Sequence, residues 1–348
     1  NFFKYREGSW ENIDIGDFGE VVVAPDSANY LFTNRWNSGN FGYMILRSSD
    51  AGSSFDREEV TPIGEKTLYN RPLFIHPHMP MSLFTGHHNL YRSTDRNLNF
   101  VQIPVPNDID SGQMIGSIRM SNADTNIIYV AFADPHWGGN GAKKKLLRSS
   151  NGGQDWTNIT GTLEDVTGQL GITDVEVSPW DPDSVWIAMG GFSIWVPQDT
   201  MLFRVFFSSD GGQNWKDISY GLPDFPVNCL RYWPASNGGI FAGTDVGVFY
   251  RDNTLDRWLP FNNNLPSCIV MDLEINDSTN RIYAATFGRG IFEADISCPF
   301  STEPLVISEN TTWTRDTVMD RSIVVDSLVT FTISCRVAFP YQAKIFVK

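Results

Sequence analysis

At 348 residues the chain suits one large β domain or two ordinary ones, and its 13% aromatic residues, 29 glycines and 19 prolines suit many short strands joined by turns. The net charge of −14 argues against a nucleic-acid partner and fits a solubilised extracellular surface. No apolar run reaches membrane-spanning length, so membrane insertion is not expected, and the four cysteines are few for a disulfide scaffold.

In chain order, Gly8-Ser9-Trp10-Glu11-Asn12-Ile13 comes first and has the look of an outer strand. Val21-Val22-Val23-Ala24-Pro25 reads as an inner strand, followed by the turn Asp26-Ser27-Ala28-Asn29 and a second strand at Tyr30–Thr33. A third strand, Tyr43–Arg47, leads into a Ser/Asp/Gly turn, and a fourth comes after it around Phe55–Val60. The same order returns at Leu73–Val101, Ile118–Ile159, Val175–Ile218 and Leu230–Phe261. A sixth unit runs from Leu273-Glu274-Ile275 through Gly290–Glu293 and lacks a fourth strand. Residues 8–13 are therefore expected to pair with Gly290–Ala294 and to cover an otherwise open edge.

Each third strand runs into one turn pattern, Ser-x-Asp-x-Gly-x-x-aromatic. It stands at Ser208–Trp215 with Asp210, and at Ser48–Phe55 with Asp50. At Ser149–Trp156 Asn151 replaces the Asp, and at Ser93–Phe100, with Asp95, Asn97 replaces the Gly. The carboxylate or amide can accept bonds from the turn's own N–H groups, Gly takes the left-handed position, and the aromatic folds back as a plug. Asp252–Trp258 is a decayed copy, one residue too long and without the Gly. Successive Asp or Asn positions lie about 42 to 59 residues apart, near the ~40–50 of propeller repeats.

These turns resemble Asp-boxes (BNR repeats), the turn motif of sialidases, sortilin-type receptors and xyloglucanases. The resemblance implies an all-β fold: an Asp-box β-propeller over residues 1–297, six blades favoured, and then the start of a second β module. Gly243–Tyr250 and Ala285–Phe292 resemble the last blades of large secreted bacterial proteins of the sortilin-like or xyloglucanase-like group. In those families the box is structural, with Phe55, Phe100, Trp156 and Trp215 as its aromatics, and Trp156 and Trp215 expected to be buried between blades.

Residues 298–348 differ. Ile323–Val325, Val329–Ile333, Val337–Phe339 and Ala343–Val347 are closely spaced short strands. They resemble the start of a β-helix-like or sandwich module that comes after such propellers in proteins exported by type IX secretion. The segment is expected to need neighbours to fold, and the polypeptide to be a piece of a longer one. A Cys298–Cys335 bridge is a candidate staple, with Cys268 an alternative partner for either. Asp followed by Ser or Thr and a small or apolar residue resembles the O-glycosylation acceptor of the same bacteria. It marks Ser27, Ser184, Thr200, Ser278, Thr317 and Ser327; a plain turn accounts for the sites at Asp26 and Asp183 equally well.

Little in the sequence points to catalysis. A sialidase needs an Arg triad, a Tyr–Glu pair and an acidic base, and Tyr69-Asn70-Arg71-Pro72 is a poor match to its Arg-Ile-Pro signature. A glycoside hydrolase acting on a polysaccharide needs a carboxylate pair; Asp174 and Asp272 are the candidates. His76-Pro77-His78 and His87-His88 have no third ligand nearby, so no metal and no cofactor is expected. Inner strands aligned on the turns at their ends place Arg119, Glu176, Arg231 and Glu274 in register, alternating in charge. They are candidate channel-lining binding residues, and equally suit ion pairs that join blades. The expected function is a secreted or cell-surface binding or structural module. Its partners would be further domains of the same polypeptide and other surface proteins or glycans. The alternative is the hydrolase.

Overall fold

The computed structural model describes residues 2–6, 9–14, 18–37, 42–58, 72–96, 99–106, 113–133, 145–163, 170–191, 203–262, 265–296, 305–314, 317–318, 323–334, 337–338 and 345–347. The chain divides into two compact units, Asn1–Asp217 and Ile218–Lys348.

The first unit opens with a hairpin, β1 (Phe2–Arg6) against β2 (Ser9–Asp14). Next come four antiparallel sheets, each a simple meander of four strands. They are β3 (Phe18–Val23) to β6 (Asp56–Glu58), through β4 (Leu31–Asn37) and β5 (Gly42–Ser48); and β7 (Leu73–Ile75) to β10 (Phe100–Ile103), through β8 (Leu83–Gly86) and β9 (Leu90–Ser93). The third holds β11 (Met114–Met120), β12 (Ile128–Ala133), β13 (Lys145–Ser149) and β14 (Thr157–Asn158). The fourth holds β15 (Ile172–Val177), β16 (Val185–Met189), β17 (Val205–Ser208) and β18 (Lys216–Asp217).

In the second unit β19 (Val227–Trp233), β20 (Gly239–Thr244), β21 (Gly247–Arg251) and β22 (Leu259–Pro260) make a fifth sheet. The sixth has three strands, β23 (Val270–Asn276), β24 (Arg281–Thr286) and β25 (Gly290–Asp295). Within each unit the apolar residues pack between consecutive sheets. Tyr129 and Leu146 of the third meet Val175, Val185 and Ile187 of the fourth, and Phe241 and Tyr250 of the fifth meet Leu273 and Ile282 of the sixth.

The expected pairing of residues 8–13 with Gly290–Ala294 is replaced by the hairpin. Residues 2–6 offer β2 a partner a few residues away, and closing so short a loop costs far less chain entropy than one spanning the chain.

After residue 304 the pairing turns parallel. β26 (Leu305–Ile307), β29 (Ile323–Val325) and β32 (Ile345–Val347) form one sheet. β27 (Thr311–Trp313) pairs with β30 (Phe331–Ile333), and β28 (Thr317–Val318) with β31 (Val337–Ala338). This is a coil of three strands per turn. Ile307, Ile323 and Val325 are its buried core, flanked by Trp313 and Phe331 at 4.8 Å, edge to face.

Candidate functional site

The inner strands carry the densest polar chemistry, and a shared irregularity sets it up. In β3, β11, β15, β19 and β23 the register slips by one residue. The extra residue of the last four is Gly116, Thr173, Asn228 and Met271. Such a bulge bends the strand and re-aims the next side chain. The side chains re-aimed in this way are Ser117, Asp174, Cys229 and Asp272. Beyond the bulge alternate residues share a face. Ile118, Val175, Leu230 and Leu273 enter the core, while Arg119, Glu176, Arg231 and Glu274 stand on the other side with the post-bulge residues.

Two clusters result. In the first unit Arg119 Nη2 lies 3.1 Å from Asp174 Oδ1, and Arg119 Nε lies 3.4 Å from Glu176 Oε2. Asp174 Oδ1 also accepts from Ser117 Oγ at 3.1 Å and from the Val175 N–H at 2.9 Å. Asp174 and Glu176 are only 6% and 7% exposed. In the second unit Arg231 Nη2 lies 2.9 Å from Glu274 Oε1 and 3.5 Å from Asp272 Oδ1, which accepts the Leu273 N–H at 2.8 Å. Here the carboxylate side chains are 66% and 52% exposed. The two candidate catalytic carboxylates, Asp174 and Asp272, thus hold equivalent places in two copies of one arrangement. The sequence alignment contained both arginines and both glutamates; the bulges had no signal beyond Gly116.

The four recurrent turns share one bonding scheme. The N–H of Ser54, Asn99, Asp155 and Asn214 donates to Asp50, Asp95, Asn151 and Asp210 respectively, at 2.8–2.9 Å. The first Ser hydroxyl of each, from Ser48, Ser93, Ser149 or Ser208, donates to the same side-chain oxygen. The Ser54 hydroxyl and N–H, then the Ser48 hydroxyl, hold the Asp50 carboxyl down at about 2. The Asn214 side chain and N–H, then Ser208, do the same for Asp210. Positive φ falls on the residue after the Asp or Asn as well as on the Gly: 58° and 78° at Ala51 and Gly52, 69° and 88° at Gly211 and Gly212. Asn97 lies outside the described residues.

Trp156 and Trp215 are half-buried rather than buried, and Phe55 and Phe100 are half-buried too. Each indole N–H reaches a carbonyl of the preceding sheet's last segment, Pro104 for Trp156 at 3.1 Å and Ile159 for Trp215 at 3.0 Å. Trp258 of the decayed copy is the most enclosed, 1% exposed, with Nε1 donating to Ile218 O at 2.7 Å.

The histidines are structural in their contacts. His76 Nδ1 accepts the N–H of both His78 and Met79 at 3.1 Å. Burial first, then the charges of Arg92 and His78, push His76 down to about 4. His88 Nδ1 meets Gln113 O at 2.8 Å. Among the described residues no three His, Cys, Asp or Glu side chains gather as a metal site, and no helix is long and apolar enough to cross a membrane. Cys229 is buried and Cys268 half-buried.

Of the candidate modification sites, Ser278 and Ser327 are exposed and Ser27 and Ser184 half-buried. Ser184 Oγ donates to Asp181 and Ser278 Oγ to Asn276, both at 2.7 Å. Residues 69–71, Thr200, Cys298, Cys335 and the side chain of Thr317 lie outside the described residues.

Among solved structures the chain is similar to a GH74 xyloglucanase from Xanthomonas campestris, at 16% identity and a TM-score of 0.58 over 81% of this chain and 45% of that one. An ancestral GH74 enzyme gives 18% and 0.58 over 83% and 39%. YCF48 from Cyanidioschyzon merolae gives 11% and 0.54 over 82% and 85%. The chain is a β-propeller. Its six sheets are the blades, and it spans less than half the length of the two GH74 enzymes. No protein-family model and no curated protein matches the sequence.

Proposed function

We propose that this propeller is a binding or structural module of a large extracellular bacterial protein, taking a glycan or protein ligand, and that it is not a glycoside hydrolase. The observation that carries the reading is the commitment of the carboxylates. A hydrolase sets two carboxyl groups across one sugar bond, and one of them presents a proton. Asp174 Oδ1 is instead the acceptor of Ser117, Arg119 and Val175, and Glu176 closes on the same Arg119. The arrangement occurs twice, with Arg231, Asp272 and Glu274, as a repeat device does and a single reaction centre does not.

In this reading the buried cluster joins blades three and four. The open cluster of Arg231, Asp272 and Glu274 is a polar surface at the channel that offers both signs of charge to sugar hydroxyls or a peptide end. The four Ser/Asp/Gly turns are Asp-boxes. Secretion or surface attachment, export by the type IX route and O-glycosylation at Ser27, Ser184, Thr200, Ser278, Thr317 and Ser327 belong to the same proposal. It is supported by the acidic composition and the likeness of the Gly243–Tyr250 and Ala285–Phe292 segments to secreted bacterial propellers. Ser184 and Ser278 would release their turn bonds to carry a sugar.

The test is binding to an array of plant and bacterial polysaccharides and of peptides, by wild type and by Arg231→Gln/Glu274→Gln. Retention of wild type on at least one surface, weakened in the double variant, is expected. Equal retention of both proteins would remove the open cluster from the ligand site.

A further inference from the structure

The turn between β7 and β8 holds four side chains with ligating atoms in six residues, His76-Pro77-His78-Met79-Pro80-Met81. Met79 and Met81 are 44% and 50% exposed, whereas Met114, Met120 and Met189 are core residues. Two thioethers largely outside the core stand in one turn beside an exposed His78, where soft donors and an imidazole are together accessible. The turn is also held in shape. His76 Nδ1 is taken by the N–H groups of His78 and Met79. Met79 N donates to His76 O at 3.3 Å and Ser82 N to Met79 O at 2.7 Å. Pro77 and Pro80 fix two backbone angles. The backbone that carries the exposed donors is therefore ordered before any ligand arrives.

We propose that His78, Met79 and Met81 bind one Cu(I) ion, with His76 as a positioning residue. Soft thioethers with an imidazole nitrogen favour Cu(I) over Zn, Ca or Mg. The Met79 and Met81 Cα atoms are separated by at most ~7 Å, and three rotatable bonds in each side chain let the sulfurs converge. Arg92 adds a charge criterion. Its Nε donates to Ser82 Oγ at 2.7 Å and its Nη2 donates to Met79 Sδ at 3.8 Å, a bond that the sulfur would release to take the ion. A monovalent ion meets half the repulsion from that guanidinium that a divalent ion does. Softness and charge thus select the same ion.

The experiment uses the full chain without oxygen. Cu(I) is supplied from a coloured Cu(I) chelator, and Ag(I) serves as a diamagnetic probe of methionine methyl groups by NMR. Expected are one equivalent of Cu(I) withdrawn from the chelator and Ag(I)-induced shifts confined to two of the nine methionine methyls. Both Leu replacements in Met79→Leu/Met81→Leu sit at exposed positions and conserve volume. They should weaken Cu(I) binding more than about tenfold, the least that disturbing a metal site costs. Met271→Leu, also at an exposed methionine, should bind as wild type does. Failure of the wild type to take Cu(I), full retention by the double variant, or Zn(II) bound as tightly as Cu(I) would each overturn the proposal.

Discussion

The indole N–H of Trp215, on the fourth blade, donates to the carbonyl of Ile159, at the end of the third, at 3.0 Å. Trp156 repeats the relationship with Pro104 one blade earlier. The plug therefore joins blades as well as filling space. Trp215→Ala should cost about 3 kcal/mol in equilibrium unfolding, the low end for emptying an aromatic site because the ring is half-exposed. Trp215→Phe keeps most of the packing and loses the bond, for about 1 kcal/mol. Equal costs would place the whole contribution in the bond, and no cost for Trp215→Phe would place it in the ring.

Ile159 meets the same turn a second way. A Cβ on Gly212 would stand 2.5 Å from Ile159 Cδ1, at a φ of +88°. Gly153 has the equivalent neighbour in Ile103 at 2.9 Å. Gly212→Ala should lose about 2 kcal/mol from overpacking and strain together. Gly171→Ala, with nothing within 4 Å of its added carbon, is the control and should change little.

The turn carboxylates predict a pH window. Asp50 and Asp210 sit at about 2 in the folded chain against an unfolded value near ~3.9. A depressed carboxyl contributes stability above the unfolded value and loses it as pH falls through the folded one. Urea midpoints should drop between roughly pH 4 and pH 2 more steeply in wild type than in Asp50→Asn/Asp210→Asn. Parallel curves would show that these carboxyls do not set the acid limit.

The two ion clusters should differ in cost. Asp174→Asn leaves Arg119 and Glu176 in a buried site short of one charge, and about 3 kcal/mol is expected. Asp272→Asn, in the open copy, should cost less than about 1 kcal/mol. Reversal of that order would mean that exposure is not what separates the copies.

The repeat was legible because its turns use residues that few other conformations want: Asp50 or Asp210 to bind N–H groups, Gly52 or Gly212 for positive φ. The order of strands could be read from them. Burial of Trp156 and Trp215 was misjudged, because the enclosure of the ring is set by neighbouring segments that the turn motif does not contain. Trp258 shows the converse. Its turn lost the Gly and kept the bond to Ile218, so the pattern faded while the contact stayed. The charged residues at positions 119, 176, 231 and 274 were visible in register. Their partition into one buried and one open cluster was not, because burial is set by neighbouring segments. The N-terminal strand was recognised as a strand but given a distant partner, since similarity to Trp156–Ile159 says nothing of the competing run at Phe2–Arg6.

Reducing-end release from a panel of polysaccharides including xyloglucan tests the central claim most directly. Wild type should release nothing above a heat-denatured control, and folded Asp272→Asn should be indistinguishable from it. Steady release by wild type that disappears in Asp272→Asn, or in an Asp174→Asn protein shown by circular dichroism to be folded, would contradict the account and make the carboxylates catalytic.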